Sequence, residues 1–215
     1  MPSRWFAGFG ELVYGAAVIG RTDSDLLEAW RAGDQAAGSA LLDRHFESVC
    51  RFFRNKVAED PEDLIQRTFL ACVEASERFE GRSSFRSFLF SIAKNTLYAH
   101  FRSKQRASFD PLTSSVAAMG TTAGTLLARA EDEELLHAGL RRLPLDQQML
   151  LELAYWEELK GPELAEVLGV SAGAVRVRLT RARAALRDAI GRTAPSGALA
   201  RSALQRLGPD LLESQ

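Results

Sequence analysis

The chain has 215 residues, of which 46% are hydrophobic and 26% charged, and its net charge is −1. This length suits two small domains better than one helical bundle. The net charge taken alone argues against a nucleic-acid partner, but the charges are segregated along the chain. No acidic residue lies between Gly81 and Phe109, where six basic residues occur, and a second basic stretch runs from Arg176 to Arg192. These two stretches predict two basic surfaces.

The polar residues show no pattern that is typical of an enzyme. Cys50 and Cys72 lie among apolar neighbours in helical patterns, which predicts buried, reduced thiols rather than a disulfide or a metal site. No nucleophile–base pair, metal-ligand spacing or phosphate-cradling glycine loop is recognisable. We therefore expect no enzymatic activity, metal, cofactor or small-molecule substrate, and a cytoplasmic location.

Helix signals begin at Thr22, which offers a capping side chain for a first helix. Asp60-Pro61 caps and opens a later helix that continues towards Phe79. The Gly81–Ser84 turn precedes a further helix from about Phe85 to Lys104. No convincing period-two strand occurs, so the predicted fold class is all-α.

The composition changes to small and polar residues between 107 and 125, which is typical of a linker. The sequence therefore predicts two small helical domains, residues 22–106 and 126–191, joined by a flexible linker. Residues 1–21 are apolar and glycine-rich but too short and too interrupted to span a membrane, so they predict a flexible leader. Residues 192–215 form a weakly specified C-terminal tail.

Residues 162–171, followed by a basic helix, have the layout of a helix-turn-helix. Gly169 supplies the permissive turn angle and Ser171 caps the second helix. An apolar stripe on that helix is formed at steps of four, three, four and four by Val175, Leu179, Ala182, Leu186 and Ile190. The opposite face is then available to DNA, where Arg181 could pair with a guanine edge and Val177 with a thymine methyl group.

Aromatic residues alternate with the basic ones between Phe85 and Phe101. This composition suits single-stranded or melted DNA, because aromatic planes accept unstacked bases and basic side chains follow the backbone. The Gly81–Ser84 turn could hold a base taken out of the stack. Helical spacing favours a core position for most of the aromatic residues, and it predicts that Phe85, Leu89 and Ile92 are buried.

Two groups of segments, in this order along the chain, resemble one known family. Residues 63–70, 85–95 and 100–102 resemble region 2 of the extracytoplasmic-function sigma factors, a branch of the sigma-70 family. Residues 143–157, 164–171 and 175–183 resemble region 4 of the same family. The resemblance implies a factor that directs the RNA polymerase core to specific promoters and initiates transcription. Its implied partners are core polymerase and promoter DNA, and an anti-sigma factor is left open as a third.

The resemblance also implies a role for individual residues. The residues implied to bind the clamp helices of the largest polymerase subunit are Asp63, Gln66 and Phe69. Those implied to bind the melted −10 element are Arg82, Ser83, Ser84, Phe85, Lys94, Asn95 and Arg102. Those implied to read the −35 element from the recognition helix are Arg176, Thr180 and Arg181. The geometry of the capped helix adds Ser171, Val177, Arg178 and Arg183 as expected DNA contacts.

A stand-alone helix-turn-helix regulator is the alternative interpretation. It would account for the C-terminal domain without a need for polymerase. It would leave the pattern between residues 63 and 102 unexplained, and the chain has no receiver-like strand pattern.

Overall fold

The computed structural model describes residues 20–57, 61–79, 81, 83–105, 109–119 and 130–212. Within these ranges the chain forms no β-strand, only an isolated bridge between Ser115 and Pro144. The described helices are α1 Asp23–Arg31, α2 Gln35–Arg54, α3 Pro61–Ser76, α4 Phe85–Gln105, α5 Glu131–Arg142, α6 Leu145–Tyr155, α7 Gly161–Leu168, α8 Ala172–Gly191 and α9 Gly197–Leu207, followed by a 3₁₀ turn at Pro209–Leu211. The predicted all-α fold class is confirmed.

Local capping explains where the N-terminal helices begin. The Thr22 hydroxyl accepts a hydrogen bond from the Asp25 amide at 3.2 Å, and the Asp25 carboxylate accepts one from the Thr22 amide at 2.7 Å. This reciprocal capping box satisfies two amides at the start of α1, as predicted from Thr22. Helix α3 begins at Pro61, as predicted, whereas the predicted cap Asp60 lies outside the described residues.

Part of the predicted linker is tied to the C-terminal helices. Backbone amides of Leu145 and Asp146 donate to the carbonyls of Ser114 and Pro111 at 2.9 and 3.0 Å. Val116 is buried, and the Phe109 ring stacks on Phe101 of α4 with 5.5 Å between the ring centroids. Residues 109–119 therefore contact both the N-terminal helices and the C-terminal helices. Their few apolar side chains contribute to these contacts, which the mainly polar composition of the segment did not predict.

Helix α9 lies in the tail that the sequence specified only weakly. It packs along α5 and buries Ala203, Leu204 and Leu207. Asp132 of α5 accepts hydrogen bonds from Ser202 at 2.6 Å and from Arg206 at 2.8 Å. The tail therefore completes the C-terminal domain by covering an apolar face of α5.

One hydrophobic core is shared by the N-terminal half of the chain, α1 to α4, and the C-terminal half, which begins at α5. It joins apolar side chains of α2, α3 and α4 to Leu145, Met149 and Leu153 of α6 and to Leu164 and Val167 of α7. A second core forms among α5, α8 and α9. Helices α6 and α7, which lie in the predicted C-terminal domain, therefore pack onto α4 of the predicted N-terminal domain.

Candidate nucleic-acid interface

The turn between α7 and α8 has the geometry of a helix-turn-helix. Gly169 ends α7 in the left-handed conformation, with φ 68° and ψ 38°. This conformation is open to glycine at little steric cost, which explains the residue type. The Ser171 hydroxyl then accepts a hydrogen bond from the Ala174 amide at 3.2 Å and caps α8. The predicted roles of Gly169 and Ser171 in the turn are confirmed.

Helix α8 divides into a buried face and an exposed face. The predicted apolar stripe is buried at Val175, Ala182, Leu186 and Ile190 and half-buried at Leu179. The residues exposed on the other side are Arg176, Val177, Thr180 and Arg181. These four include the side chains predicted to contact bases, so the helix can present them to a DNA groove.

The two remaining arginines of the predicted recognition set are engaged within the protein. Arg178 lies 3.5 Å from the Asp146 carboxylate. The Arg183 guanidinium lies 5.6 Å from the centroid of the Tyr155 ring, within the range of a cation–π contact. Both side chains are half-buried and contact α6 rather than the outer face of α8.

Most aromatic residues of α4 belong to the core. Phe85, Leu89 and Phe90 are buried, and Phe88 stacks on Phe79 with 4.4 Å between centroids. Ile92 is half-buried against the same core. The predicted burial of Phe85 and Leu89 is confirmed. Phe85 was also predicted to contact the −10 element, but its ring is buried beside His45 and Phe88, where it has no face open to a base in this structure.

The polar side chains predicted to contact the −10 element are split between solvent and protein. Asn95 and Arg102 are exposed. Ser84 donates a hydrogen bond to Glu163 of α7 at 2.7 Å, and Lys94 donates one to the carbonyl of Val167 at 2.6 Å. Ser83 is half-buried, and Arg82 lies outside the described residues.

Four acidic side chains on α6, on α7 and in the turn between them face basic or hydroxyl groups that lie on α2 and α4 or within two residues of their ends. Glu157 accepts from Arg51 at 2.5 Å and lies 3.3 Å from Arg86. Glu152 pairs with Lys56, and Asp146 accepts from the Tyr98 hydroxyl. We call Asp146, Glu152, Glu157 and Glu163 the acidic cluster. The sequence does not predict this cluster, because no local pattern separates these acids from acids on a solvated helix face.

The contact between the two halves shifts the pKa of groups on both sides. Burial lowers the pKa of Lys56 and of Lys94. Burial raises the pKa of Tyr98, and its hydrogen bond to Asp146 raises it further. Burial acts to raise the pKa of Glu163, but hydrogen bonds from the Lys160 amide and from Ser84 outweigh it, so the net shift is downward. The hydroxyl of Tyr98 therefore remains protonated and donates to Asp146.

The outer face of α3 carries the residues predicted to bind polymerase. Asp63 and Gln66 are exposed, and Phe69 is half-buried against the Phe46 ring, with 5.7 Å between centroids. Leu70 and Val73 on the same helix are 54% and 43% exposed. These two apolar side chains were not predicted as site residues, although exposed apolar side chains beside a polar rim are typical of a protein-binding surface.

No group of three or more His, Cys, Asp or Glu side chains in the described part of the chain is arranged to hold a metal ion. None of the described helices is long and apolar enough to cross a membrane. Cys50 and Cys72 are buried free thiols, as predicted.

Comparison with protein families finds two matches in the predicted order. The family model described as Sigma-70 region 2 matches residues 41–107, and the model described as Sigma-70, region 4 matches residues 133–186. The chain is 28% identical over 180 residues to the ECF RNA polymerase sigma-E factor of Haemophilus influenzae, covering 79% of this chain and 95% of that protein. It is 28% identical over 176 residues to the factor of the same name from Escherichia coli K12, covering 77% and 92%.

Solved structures show the same architecture. The structure of CnrH in complex with the cytosolic domain of CnrY matches with a TM-score of 0.59 and 26% identity, covering 80% of this chain and 99% of that one. The sigma factor RpoE in complex with the anti-sigma factor NepR, from Bartonella quintana, matches with a TM-score of 0.57 over 71% of this chain and 95% of that one. Its 21% identity to this chain supports the fold alone.

The helix-turn-helix and the second helical region together define a DNA-binding transcription factor with two functional regions. The chain belongs to the sigma-70 family, as a sigma factor of the extracytoplasmic-function type. It directs the RNA polymerase core to promoters and initiates transcription, with core polymerase and promoter DNA as its partners. The match to region 2 accounts for α2 to α4, so a stand-alone regulator is not favoured.

Proposed function

We propose that the exposed face of α8 reads the −35 element through Arg176, Val177, Thr180 and Arg181. The support is geometric, because these residues lie opposite the buried stripe that fixes α8 against α5, α6 and α7. Arg181 is suited to a guanine edge, and Val177 to a thymine methyl group. Ser171 holds the turn, while Arg178 and Arg183 flank the groove and reach phosphates once they leave Asp146 and Tyr155.

The melted −10 element, in this proposal, lies along the start and the outer face of α4. Asn95 and Arg102 are exposed there, and Arg82, Ser83, Ser84 and Lys94 complete the binding set. Phe85 acts by holding the start of α4 in the core. A basic helix with polar side chains at its start suits a single strand, because cations follow phosphates while amide and hydroxyl groups meet base edges.

Core polymerase binds the outer face of α3 in this proposal. Asp63 and Gln66 supply polar contacts from exposed positions, and Phe69 packs beneath them on Phe46. The exposed Leu70 and Val73 extend the surface with apolar area. An apolar centre with a polar rim is the usual composition of a protein interface.

We further propose a cytoplasmic location, where core polymerase and promoter DNA meet, and a role without enzymatic activity of its own. An anti-sigma factor is proposed as an additional partner. The proposal is motivated by the sigma factor RpoE of Bartonella quintana, a protein of the same fold that was solved in complex with the anti-sigma factor NepR.

The observation that carries the proposal is the exposure of Arg181 on the free face of a well-capped recognition helix. Run-off transcription with core polymerase tests it by comparing Arg181→Ala with Arg201→Ala, which removes an exposed arginine from α9. A lost base contact costs ~1–3 kcal/mol. Arg181→Ala should therefore reduce promoter-specific transcript, with polymerase binding intact, whereas Arg201→Ala should not. Equal loss of transcript and polymerase binding in Arg181→Ala would exclude this role.

A further inference from the structure

A cavity of about 480 Å³ lies where the ends of α2 and α6 meet α5 and α9. Its volume falls in the range of small-molecule sites and far exceeds the space of a single water molecule. The residues that line it are Arg51, Asn55, Glu133, Leu136, His137, Tyr155, Trp156 and Arg206. None of these was predicted to bind DNA or polymerase, so the cavity is separate from the surfaces proposed above.

Two hydrogen-bond donors on the wall of this cavity have no protein partner among the described residues. One is Nδ2 of Asn55, a buried residue with only 7% exposure. The other is the buried Nε of Arg51, whose Nη2 binds Ser48 and Glu157. Arg51 and Asn55 are one helical turn apart, so their side chains are neighbours. Because buried donors in proteins are nearly always paired, two of them on one wall point to a ligand that accepts hydrogen bonds.

The charges around the cavity suit a ligand with one negative charge. Arg51 and Arg206 contribute two guanidinium groups and Glu133 one carboxylate, which leaves one excess positive charge when histidine is counted as neutral. The Arg206 side chain is 42% exposed and binds Asp132 at 2.8 Å, so it forms the rim. A carboxylate can accept from both inner donors at once, because its two oxygens offer several acceptor positions. A dianionic phosphate would bring a second negative charge that the lining does not balance.

One wall of the cavity is aromatic and apolar. Trp156 is half-buried, and its ring centroid lies 5.5 Å from that of His137. Leu136 is buried, with 2% exposure. A flat aromatic body can pack on the indole of Trp156 while its carboxylate reaches Arg51 and Asn55. An apolar wall with a few polar groups that fix orientation is the usual composition of a small-molecule site.

We propose that this cavity binds a small aromatic monocarboxylate as a ligand rather than a substrate, with its carboxylate on Arg51 and Asn55 and its ring on Trp156. The carboxylate-binding residues lie in the segment matched by Sigma-70 region 2, and the aromatic wall lies in the segment matched by region 4. Arg206 lies on α9, beyond both matched segments. The proposed DNA contacts play no part in this site.

Titration of the ¹⁵N-labelled full chain with benzoate, followed by NMR of the tryptophan indole N–H signals, tests the site. The chain has three tryptophans, and Trp156→Phe identifies the signal of Trp156. Trp30, which packs on the core formed by the N-terminal helices, is the internal reference. Benzoate should shift the Trp156 signal saturably, with a Kd on the order of 1 mM or below, and leave the Trp30 signal in place. The absence of a saturable shift at Trp156 would overturn the proposal.

Two related compounds test the class of ligand. Benzamide has nearly the shape of benzoate without its charge, and it should bind about tenfold more weakly because it lacks a charged hydrogen bond. Phenyl phosphate carries close to two negative charges at neutral pH and should also bind more weakly than benzoate. Equal binding of benzamide and benzoate would show that the donors do not recognise a carboxylate. Tighter binding of phenyl phosphate would assign the cavity to phosphates, and either result would overturn the proposed class.

A matched pair of variants tests the position of the carboxylate. Arg51→Met removes a guanidinium from the wall, whereas Arg54→Met removes an exposed one from the same helix, outside the lining. Arg51→Met should weaken benzoate binding about tenfold, and Arg54→Met by less than about twofold. Equal affinity of the two variants would overturn the proposal.

Asn55→Asp supplies a second test that leaves the contact between Arg51 and Glu157 in place. It replaces the unpaired donor by a carboxylate, whose like charge should weaken benzoate binding by about tenfold or more. Circular dichroism checks that each variant is folded. Wild-type affinity for benzoate in folded Asn55→Asp would overturn the assignment of the carboxylate to this wall.

Discussion

Lys56, two residues after the end of α2, and Glu152 of α6 are 96 residues apart in sequence and form an ion pair whose side chains are only 0% and 2% exposed. Lys56 also donates to the Phe52 carbonyl at 2.8 Å, and Gln148 donates to Glu152 at 2.9 Å. Each charge therefore has a second partner, which is what a buried ion pair needs to offset desolvation.

Glu152→Gln should destabilise the protein by ~3–5 kcal/mol, because it leaves the Lys56 ammonium buried without its counter-charge. Urea unfolding measures the change. The double variant Lys56→Met, Glu152→Leu removes both charges and should recover most of the loss. A double variant that is as unstable as Glu152→Gln would show that packing, rather than the unpaired charge, causes the effect.

Gly169→Ala should cost ~1 kcal/mol of stability, because alanine is strained at the φ of 68° that ends α7. An added Cβ would meet no atom within 4 Å, so the cost comes from the backbone alone. Gly191→Ala is the matched control: it also meets open space but lies in α8 without a positive φ, so it should stabilise by ~0.5–1 kcal/mol. Changes of the same sign in the two variants would contradict this explanation.

The sequence was sufficient to predict the helix-turn-helix and its exposed face. Gly169 and Ser171 are local signals, and the spacing from Val175 to Ile190 determines which side of α8 is buried. The helical periodicity of α8 then places Arg181 on the side opposite the buried stripe. Such features can be predicted because capping and helical periodicity involve residues close together in sequence.

The contact between the two halves could not be predicted in the same way. Asp146, Glu152 and Glu157 acquire their partners from helices that are remote in sequence, and an acid on a helix is usually solvated. The inward positions of Arg178 and Arg183 depend on Asp146 and Tyr155 of α6, which are also remote from them in sequence. The packing of α9 on α5 was missed because its apolar run is short and lies in a polar, glycine-containing tail.

Arg183→Ala should lower the stability of the protein, because its guanidinium lies over the Tyr155 ring. The expected cost is ~0.5–2 kcal/mol, the range of a cation–π contact. Arg176→Ala removes an exposed arginine from the same helix and should change stability by less than ~0.5 kcal/mol. Thermal unfolding and run-off transcription should be measured on both variants. An unchanged stability of Arg183→Ala would show that the contact with Tyr155 does not stabilise the protein.

Stability should fall as the pH rises above 9. Burial raises the pKa of Cys50 from 9.0 to about 11 and that of Cys72 from 9.0 to about 12. Between these values the unfolded chain releases protons that the folded chain retains, so unfolding is favoured as pH rises, by about 1.4 kcal/mol per pH unit for each thiol.

Urea unfolding at pH 8.5, 9.5 and 10.5 measures this dependence. Cys50→Ala and Cys72→Ala should each reduce the slope of stability against pH, even though the lost methylene and sulfur lower stability at every pH. An unchanged slope in both variants would show that the thiols do not contribute.

Run-off transcription from the DNA upstream of the gene that encodes this chain is the most direct test of its role. Transcript of defined length should appear only when the chain and core RNA polymerase are both present, and neither alone should form a stable complex with that DNA. Tight, specific binding of the chain to that DNA without polymerase, combined with no transcript when polymerase is added, would contradict its role as a sigma factor.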